Sequence, residues 1–292
     1  MYELVQAGER TYYINSPAKI GLYLEGERDV YLIDSGNDKD AGRKVKKLLE
    51  QNGWELRAII NSHSNADHIG GNRFLQERYH CKVLGTGLEN AFTRYPLLEP
   101  SFLYGGYPCK ELKNKFLMAQ PSEPQVITPE DLPAGMELME LPGHFFEMIG
   151  LRTPDDVWFL ADCLVGEETL CKYHVSFIYD VRAYLETLER VEQLEGKLFI
   201  PAHMQAVEDI RPAVQRNREK VHELLGLIES LCGEPLVFEQ VLKGVFDHFK
   251  LRLDWSQYVL AGSTVRSYLS YLYDEGRVVT EVQDNLLLWK RA

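Results

Sequence analysis

The chain has 292 residues, 45% of them hydrophobic and 26% charged, which suffices for a substantial core and is ordinary for a globular protein. A formal net charge of −12 repels phosphate backbones and anionic bilayers, so a general nucleic-acid or membrane-surface binder is disfavoured. Five scattered cysteines with no C-x-x-C pair, a polar start (MYELVQAGERTYY) and no apolar run of ~18 residues predict a cytoplasmic setting without a disulfide framework or a membrane span.

In chain order, strands are expected at 11–14, 19–25 and 29–33, rich in Tyr, Ile, Leu and Val and broken by Pro17, Gly26 and Gly36. A helix follows at 39–51, with Val45, Leu48 and Leu49 on one face. A strand at 57–61, a helix at 73–79 and a strand at 81–84 complete an alternating α/β pattern. Residues 95–124 carry five prolines and Gly105-Gly106, and are read as a long loop, a candidate lid over a site. Strands at 136–141, 148–152 and 157–160, a helix at 184–194 and a strand at 198–200 come next. From Arg211 a helix leads into further helices at 238–248 and 263–275, the last capped by Ser263. Strands at 277–281 and 286–290 close the chain, in the outline of a winged helix. The expected division is a catalytic domain over 1–212 and a winged-helix-like domain over 213–292.

The chemistry concentrates in His63-Ser64-Asn65-Ala66-Asp67-His68, directly after an apolar strand. Imidazole and carboxylate are ligands for divalent zinc, iron or manganese, and strand ends are where a rigid scaffold presents such groups. The theme of apolar strand followed by ligand-type residue recurs at Leu141-Pro142-Gly143-His144, Phe159-Leu160-Ala161-Asp162 and Phe199-Ile200-Pro201-Ala202-His203.

In order and setting these segments resemble the metallo-β-lactamase superfamily, whose first motif reads H-x-H-x-D-H. Val30-Tyr31-Leu32-Ile33-Asp34-Ser35-Gly36 is similar to its early V-L-I-D-x-G stretch. The resemblance covers roughly residues 10 to 205. It implies an α/β fold of the four-layer αβ/βα sandwich type. It further implies that His63, the position of Asn65, and His144 surround one metal, that Asp67, His68 and His203 surround a second, and that Asp162 bridges them. Asp67 and Asp162 would then carry the catalysis with a cation-activated water as nucleophile, and Asp34 would fix the ligand loop. Zinc is the first expectation, with iron or manganese as alternatives.

This chain departs from the pattern at Asn65, where the family has histidine. A carboxamide oxygen is a weaker, harder ligand than imidazole. One firm site (Asp67, His68, Asp162, His203) and one doubtful site are therefore expected. Lys172 and Tyr173, followed by His174, resemble in position the substrate contacts of the thioesterase branch similar to glyoxalase II. Tyr104 and Tyr107 are further candidates for substrate contact. Cys163 is read first as a small buried neighbour of Asp162.

Three functions stay open at this point. One is a hydrolase of a small acyl compound, a thioester, lactone or related ester, with a homodimer as an additional expectation. Another is a metal-dependent nuclease or phosphodiesterase. The third is a non-catalytic metal- or ligand-binding module. The nuclease reading is weakened by a charge-neutral tail, 11 Lys or Arg against 11 Asp or Glu from Arg211 onward. A β-lactam hydrolase is disfavoured by the polar N-terminus, and a persulfide dioxygenase by Asn65.

Overall fold

The computed structural model describes residues 2–292. Seven strands form the first sheet in chain order: β1 (Glu3–Gln6), β2 (Thr11–Asn15), β3 (Ile20–Glu25), β4 (Asp29–Ile33), β5 (Glu55–Ile60), β6 (Lys82–Gly85) and β7 (Pro124–Val126). β1 to β4 pair antiparallel through short turns, and β4 to β7 pair parallel. Parallel neighbours need crossovers, and helices supply the first two. Helix Lys39–Asn52 starts on Asp38, whose carboxylate accepts from the Asp40 and Ala41 amides, and stops at left-handed Gly53. Helix Asn72–Tyr79 makes the next return.

A second sheet runs in the order β11 (Leu198–His203), β10 (Val157–Val165), β9 (Ile149–Arg152) and β8 (Glu137–Glu140), with only β10 and β11 parallel. Period-two alternation sorts the side chains into layers. Val30, Leu32 and Ile59 face Val45, Leu49 and Leu75 of the first helices. Ile33, Ala58 and Ile60 face Ile149, Leu151, Phe159 and Ile200 between the sheets. Trp158 and Leu160 face outward onto helices Val181–Glu192 and Arg211–Leu231. The result is helix, sheet, sheet, helix, the four-layer sandwich expected from the sequence. The leucines at 0% exposure in these layers are sites where truncation to alanine costs about 2–5 kcal/mol.

Several elements differ from expectation. Strand β10 runs on to Val165 because its central residues are apolar and buried on both faces, which conceals a period-two signal. The stretch 95–124 is not one long loop. It holds helix Leu98–Tyr104 and a 3-10 turn at Lys110–Leu112. Its Leu103, Leu112 and Leu117 cluster with Val259 of the tail. The third tail helix begins at Trp255, capped by Asp254, which accepts from the Gln257 amide, so Ser263 lies inside it.

The tail contains helices Phe238–Phe249 and Trp255–Asp274 and a hairpin of β12 (Val278–Gln283) and β13 (Leu286–Arg291). Val265, Tyr268, Leu269 and Leu272 share one core with Tyr184 and Leu188 of the sandwich. Residue 212 falls within helix Arg211–Leu231, so the chain passes into the tail without a linker. Among the described residues no helix is long and apolar enough to cross a membrane.

Candidate metal centre

Four segments meet at one edge of the sandwich. β5 ends at Ile60, and the turn after it runs through buried His63 into the short helix Ala66–Ile69, which carries Asp67 and His68. His144 follows Gly143, whose φ is +120° and whose hypothetical Cβ would lie 2.3 Å from the Tyr184 amide nitrogen, so only glycine fits. Asp162 follows Ala161, held at φ 48° where the β10–β11 register shifts. A left-handed alanine is strained, and the strain turns the Asp162 carboxylate into the site. His203 is the last residue of β11.

Two triads result. His63, His144 and Asp162 bring ligand atoms within 4.8 Å of one another, and so do Asp67, His68 and His203. Asp162 touches both. Its Oδ1 lies 3.1 Å from His68 Nε2, and its Oδ2 lies 3.2 Å from His203 Nε2 and 3.7 Å from His144 Nε2. His203 Nε2 is also 3.2 Å from Asp67 Oδ2.

Each imidazole is oriented by its other nitrogen. His203 Nδ1 lies 3.0 Å from the Pro17 carbonyl and His144 Nδ1 3.0 Å from the Phe177 carbonyl. A carbonyl only accepts, so both Nδ1 atoms carry hydrogen and the Nε2 atoms face inward. Asp34, buried at φ 65°, orders the other two. Its Oδ2 accepts from His68 Nδ1 at 2.7 Å and from the Ser62 hydroxyl at 2.7 Å, and its Oδ1 accepts from the Ser62 amide at 2.8 Å. Having donated to Asp34, the Ser62 hydroxyl can only accept from His63 Nδ1, 3.0 Å away. Asp34 thereby sets the tautomer of both His63 and His68.

Burial, reinforced by the His68 charge, pushes the His63 pKa well below its ordinary value, and burial also lowers that of His144. Burial opposes protonation of His68 and His203 too, but carboxylates override it. Asp162, Asp34 and Asp67 raise His68 well above the usual imidazole range, and Asp162 with Asp67 raises His203 to about 10. Burial of Asp162 likewise opposes ionisation, and the His203 and His68 charges hold its pKa well below the usual carboxylate range.

The donor set fits a divalent cation. His63 Nε2 is buried without a hydrogen-bond partner, and His68 Nε2 and Asp162 Oδ1 face only each other, 3.1 Å apart, without forming a well-directed hydrogen bond. Orphaned lone pairs of this kind are costly unless a cation or proton satisfies them. Nitrogen and carboxylate donors at strand ends suit zinc, iron or manganese.

The family model of the metallo-beta-lactamase superfamily matches residues 21–203, well over half of the chain. The chain belongs to the metallo-beta-lactamase superfamily. A hydroxyacylglutathione hydrolase of Rhizobium meliloti (strain 1021) is 24% identical over 230 residues, 70% of this chain and 86% of that enzyme. One from Bradyrhizobium sp. (strain ORS 278) is 46% identical over 46 residues, but the match spans only 18% of that enzyme's length. A solved β-lactamase domain protein from Burkholderia ambifaria superposes with a TM-score of 0.78 at 17% identity, over 99% of this chain and 94% of that one. A metallo-beta-lactamase family protein from Thermus thermophilus gives 0.75 at 19% identity, over 97% and 99%. Both superpositions include the tail. The superfamily match and the hydroxyacylglutathione hydrolase relatives support a metal-dependent hydrolase.

The remaining sequence candidates spread apart. Asn65 lies beside the two triads, its Oδ1 3.1 Å from His144 Nε2. Lys172 and Tyr173 sit on helix Glu167–Tyr173, with the ammonium 4.7 Å from the Tyr173 ring centroid, and do not line the cleft above Asp67 and Asp162. His174 instead stacks on Phe249 of the tail, beside Lys220. Tyr104 lines a separate, wider groove with Tyr179 and Arg266, and Tyr107 is 75% exposed. Cys163 is fully buried, and burial raises its thiol pKa far above the ordinary range, so it is inert packing.

Sequence reasoning missed Glu99, Lys115, Leu117, Phe177 and Leu260, which line the cleft above the ligands. Glu99 carried a readable signal, since it is a lone acid in the apolar run Tyr95-Pro96-Leu97-Leu98-Glu99-Pro100. Leu260 carried none, because it reaches the cleft only through the docking of the tail helix.

Proposed function

We propose that this chain hydrolyses a small acyl compound, a thioester, lactone or related ester, at two cation positions that share Asp162. His63, Asn65 and His144 would hold one cation, and Asp67, His68 and His203 the other. Zinc is the first candidate, with iron or manganese as alternatives. A divalent cation there supplies Lewis acidity, polarising an acyl carbonyl and lowering the pKa of an attacking water toward neutrality.

The observation that carries this reading is the contact of one buried carboxylate, Asp162, with imidazoles of both triads. The chain's own groups prepare the reaction in stated ways. Asp34, Phe177 O and Pro17 O keep the Nε2 lone pairs aimed inward. Asp67, its Oδ2 3.2 Å from His203 Nε2, flanks that ring on the side opposite the Pro17 carbonyl. Leu117, Phe177 and Leu260 give the cleft an apolar wall that excludes water and suits an acyl chain.

The cleft holds about 250 Å³, near the lower end of the range for small-molecule sites. Its one cationic side chain, Lys115, is paired with Asp38 at 3.1 Å. A polyanion therefore finds little attraction there, which ranks an acyl substrate above RNA. The tail helix spends Val265, Tyr268 and Leu269 on the core, not on a nucleic-acid groove.

The test is a thioester and lactone panel run beside RNA, with chelator and metal add-back. Turnover on acyl substrates, abolished by chelation and restored by Zn²⁺ or Mn²⁺, is expected. No acyl turnover, with metal-dependent RNA cleavage, would reverse the assignment. Metal analysis of the purified protein is expected to find one tightly held ion per chain, and two in the Asn65→His variant. Two tightly held ions in the parent would refute a weak first position.

A further inference from the structure

Glu99 poses a physical question. Its side chain is 5% exposed on the short helix Leu98–Tyr104, among the residues above the metal ligands. An acid buried beside Asp67 and Glu89 is costly unless it has a partner. Its carboxylate takes a 2.9 Å hydrogen bond from the Nδ2 of Asn65, the residue that replaces the expected histidine.

The other end of that carboxamide makes an unusual contact. Asn65 Oδ1 lies 3.1 Å from His144 Nε2. His144 Nδ1 donates to the Phe177 carbonyl, so in the neutral ring Nε2 carries a lone pair. Two lone pairs then face each other at hydrogen-bond distance, an arrangement that becomes favourable when a cation is shared between them. Turned over, the amide would donate to His144 Nε2 and block it. The 2.9 Å hydrogen bond from the Asn65 Nδ2 to Glu99 Oε1 holds the first orientation, with Oδ1 toward His144.

We propose that Glu99 is a positioning residue that holds the Asn65 carboxamide with its oxygen toward His144, so that position 65 remains a metal donor without its histidine. This rests on the reading of His63, Asn65 and His144 as one cation position. It deepens that reading by assigning a residue from the 95–124 segment to the metal centre. An amide oxygen in place of imidazole also shifts the position toward oxygen-favouring cations, so Mn²⁺ is the suitable probe.

The experiment is calorimetric titration of the metal-depleted full chain with Mn²⁺, for the parent, Glu99→Leu, Asn65→His and the double variant Asn65→His/Glu99→Leu. The parent should bind two ions, one tight and one weaker. Glu99→Leu should weaken only the second by about 10- to 100-fold, the usual effect of losing a partner that orients a ligand. The double variant should regain two ions, because an imidazole at 65 does not depend on Glu99. The tight ion retained in each variant reports an intact fold. Should Glu99→Leu not fold, Glu99→Gln keeps the volume and can still accept, and should show a smaller loss of the same sign.

Two unweakened ions in Glu99→Leu would overturn the proposal. So would a double variant that stays at one ion, which would mean that Glu99 acts by direct ligation or charge. A parent that binds one ion at saturating Mn²⁺ would overturn it as well, while leaving the Asp67–His68–His203 position standing. No binding in any variant would instead refute the metal-dependent reading itself.

Discussion

The two halves of the site present their ligands in different ways. His68 and His203 sit among Asp34, Asp67 and Asp162, and those carboxylates favour positive charge at that point. His63 and His144 sit against Phe145 and Phe177, where burial keeps them neutral. A cation beside His68 and His203 would be held by charge as well as by lone pairs. Beside His63 and His144 it would depend on geometry, and the geometry depends on an amide whose two ends are alike in shape and opposite in hydrogen-bonding sense. At position 65 the Glu99 Oε1 accepts from the amide Nδ2, which would fix the sense in which the amide faces His144.

The strongest way to break this comparison is to remove the residue both halves share. Asp162→Ala takes a ligand atom from the His63–His144 triad and removes the contacts with His68 and His203 in the other. Acyl hydrolysis should fall by at least about 10³-fold, a barrier increase of about 4 kcal/mol, and both ions should be lost. Measurement of kcat alongside metal content checks this. A variant that keeps one ion would show that one half stands alone, and would demote Asp162 from bridging ligand to neighbour.

How legible the site was in the sequence follows from how local each signal is. His63, Asp67 and His68 share one turn, and His144, Asp162 and His203 each end an apolar run, so pattern and order sufficed to bring them forward. The sandwich was legible for the same reason, since its strands and crossover helices have distinct periods. Glu99, Phe177 and Leu260 reach the cleft by the packing of distant segments, and no periodicity encodes that. The 95–124 stretch was misread as a loop because its prolines and glycines mask a seven-residue helix whose order comes from docking on Val259. Lys172 and Tyr173 show the opposite error, since position in the chain put them near Asp162 while the fold turns them outward.

A second prediction sharpens the cost of acidity around the neutral half. Glu89 is 1% exposed, and its carboxylate accepts from the Ser64 amide, the Ser64 hydroxyl and the Glu147 amide. Burial nevertheless pushes its pKa up to about 7, from an ordinary 4.5. Between those values the folded state holds a proton that the unfolded chain has released, so stability falls as pH rises through this window and levels off above it. Across this whole window the effect amounts to about 3 kcal/mol at most. Glu89→Gln cannot titrate. Its stability relative to the parent, from denaturant unfolding at pH 5 and pH 8, should rise toward pH 8 by up to that amount. A difference that stays flat with pH would show that the three hydrogen bonds stabilise the ionised form fully.

The smallest expected effect tests whether the halves are independent. Asp34 accepts from His68 Nδ1 directly and controls His63 Nδ1 through Ser62, so it orients one ligand in each half. Asn at position 34 can keep the Ser62 amide bond through its oxygen, but its NH₂ group then faces His68 Nδ1. The ring must switch tautomer, which puts a hydrogen on the inward Nε2 and spoils it as a ligand. Asp34→Asn should therefore weaken the tight ion by about 10- to 100-fold. The Ser62 hydroxyl donates to the same Oδ2 and loses that acceptor too, so the weaker ion is also affected, but less, because His63 is one bond further removed. Titration with Zn²⁺ resolves the two affinities. An equal loss at both would mean that Asp34 couples the halves through the whole turn, and that the contrast between a charge-held and a geometry-held position is drawn in the wrong place.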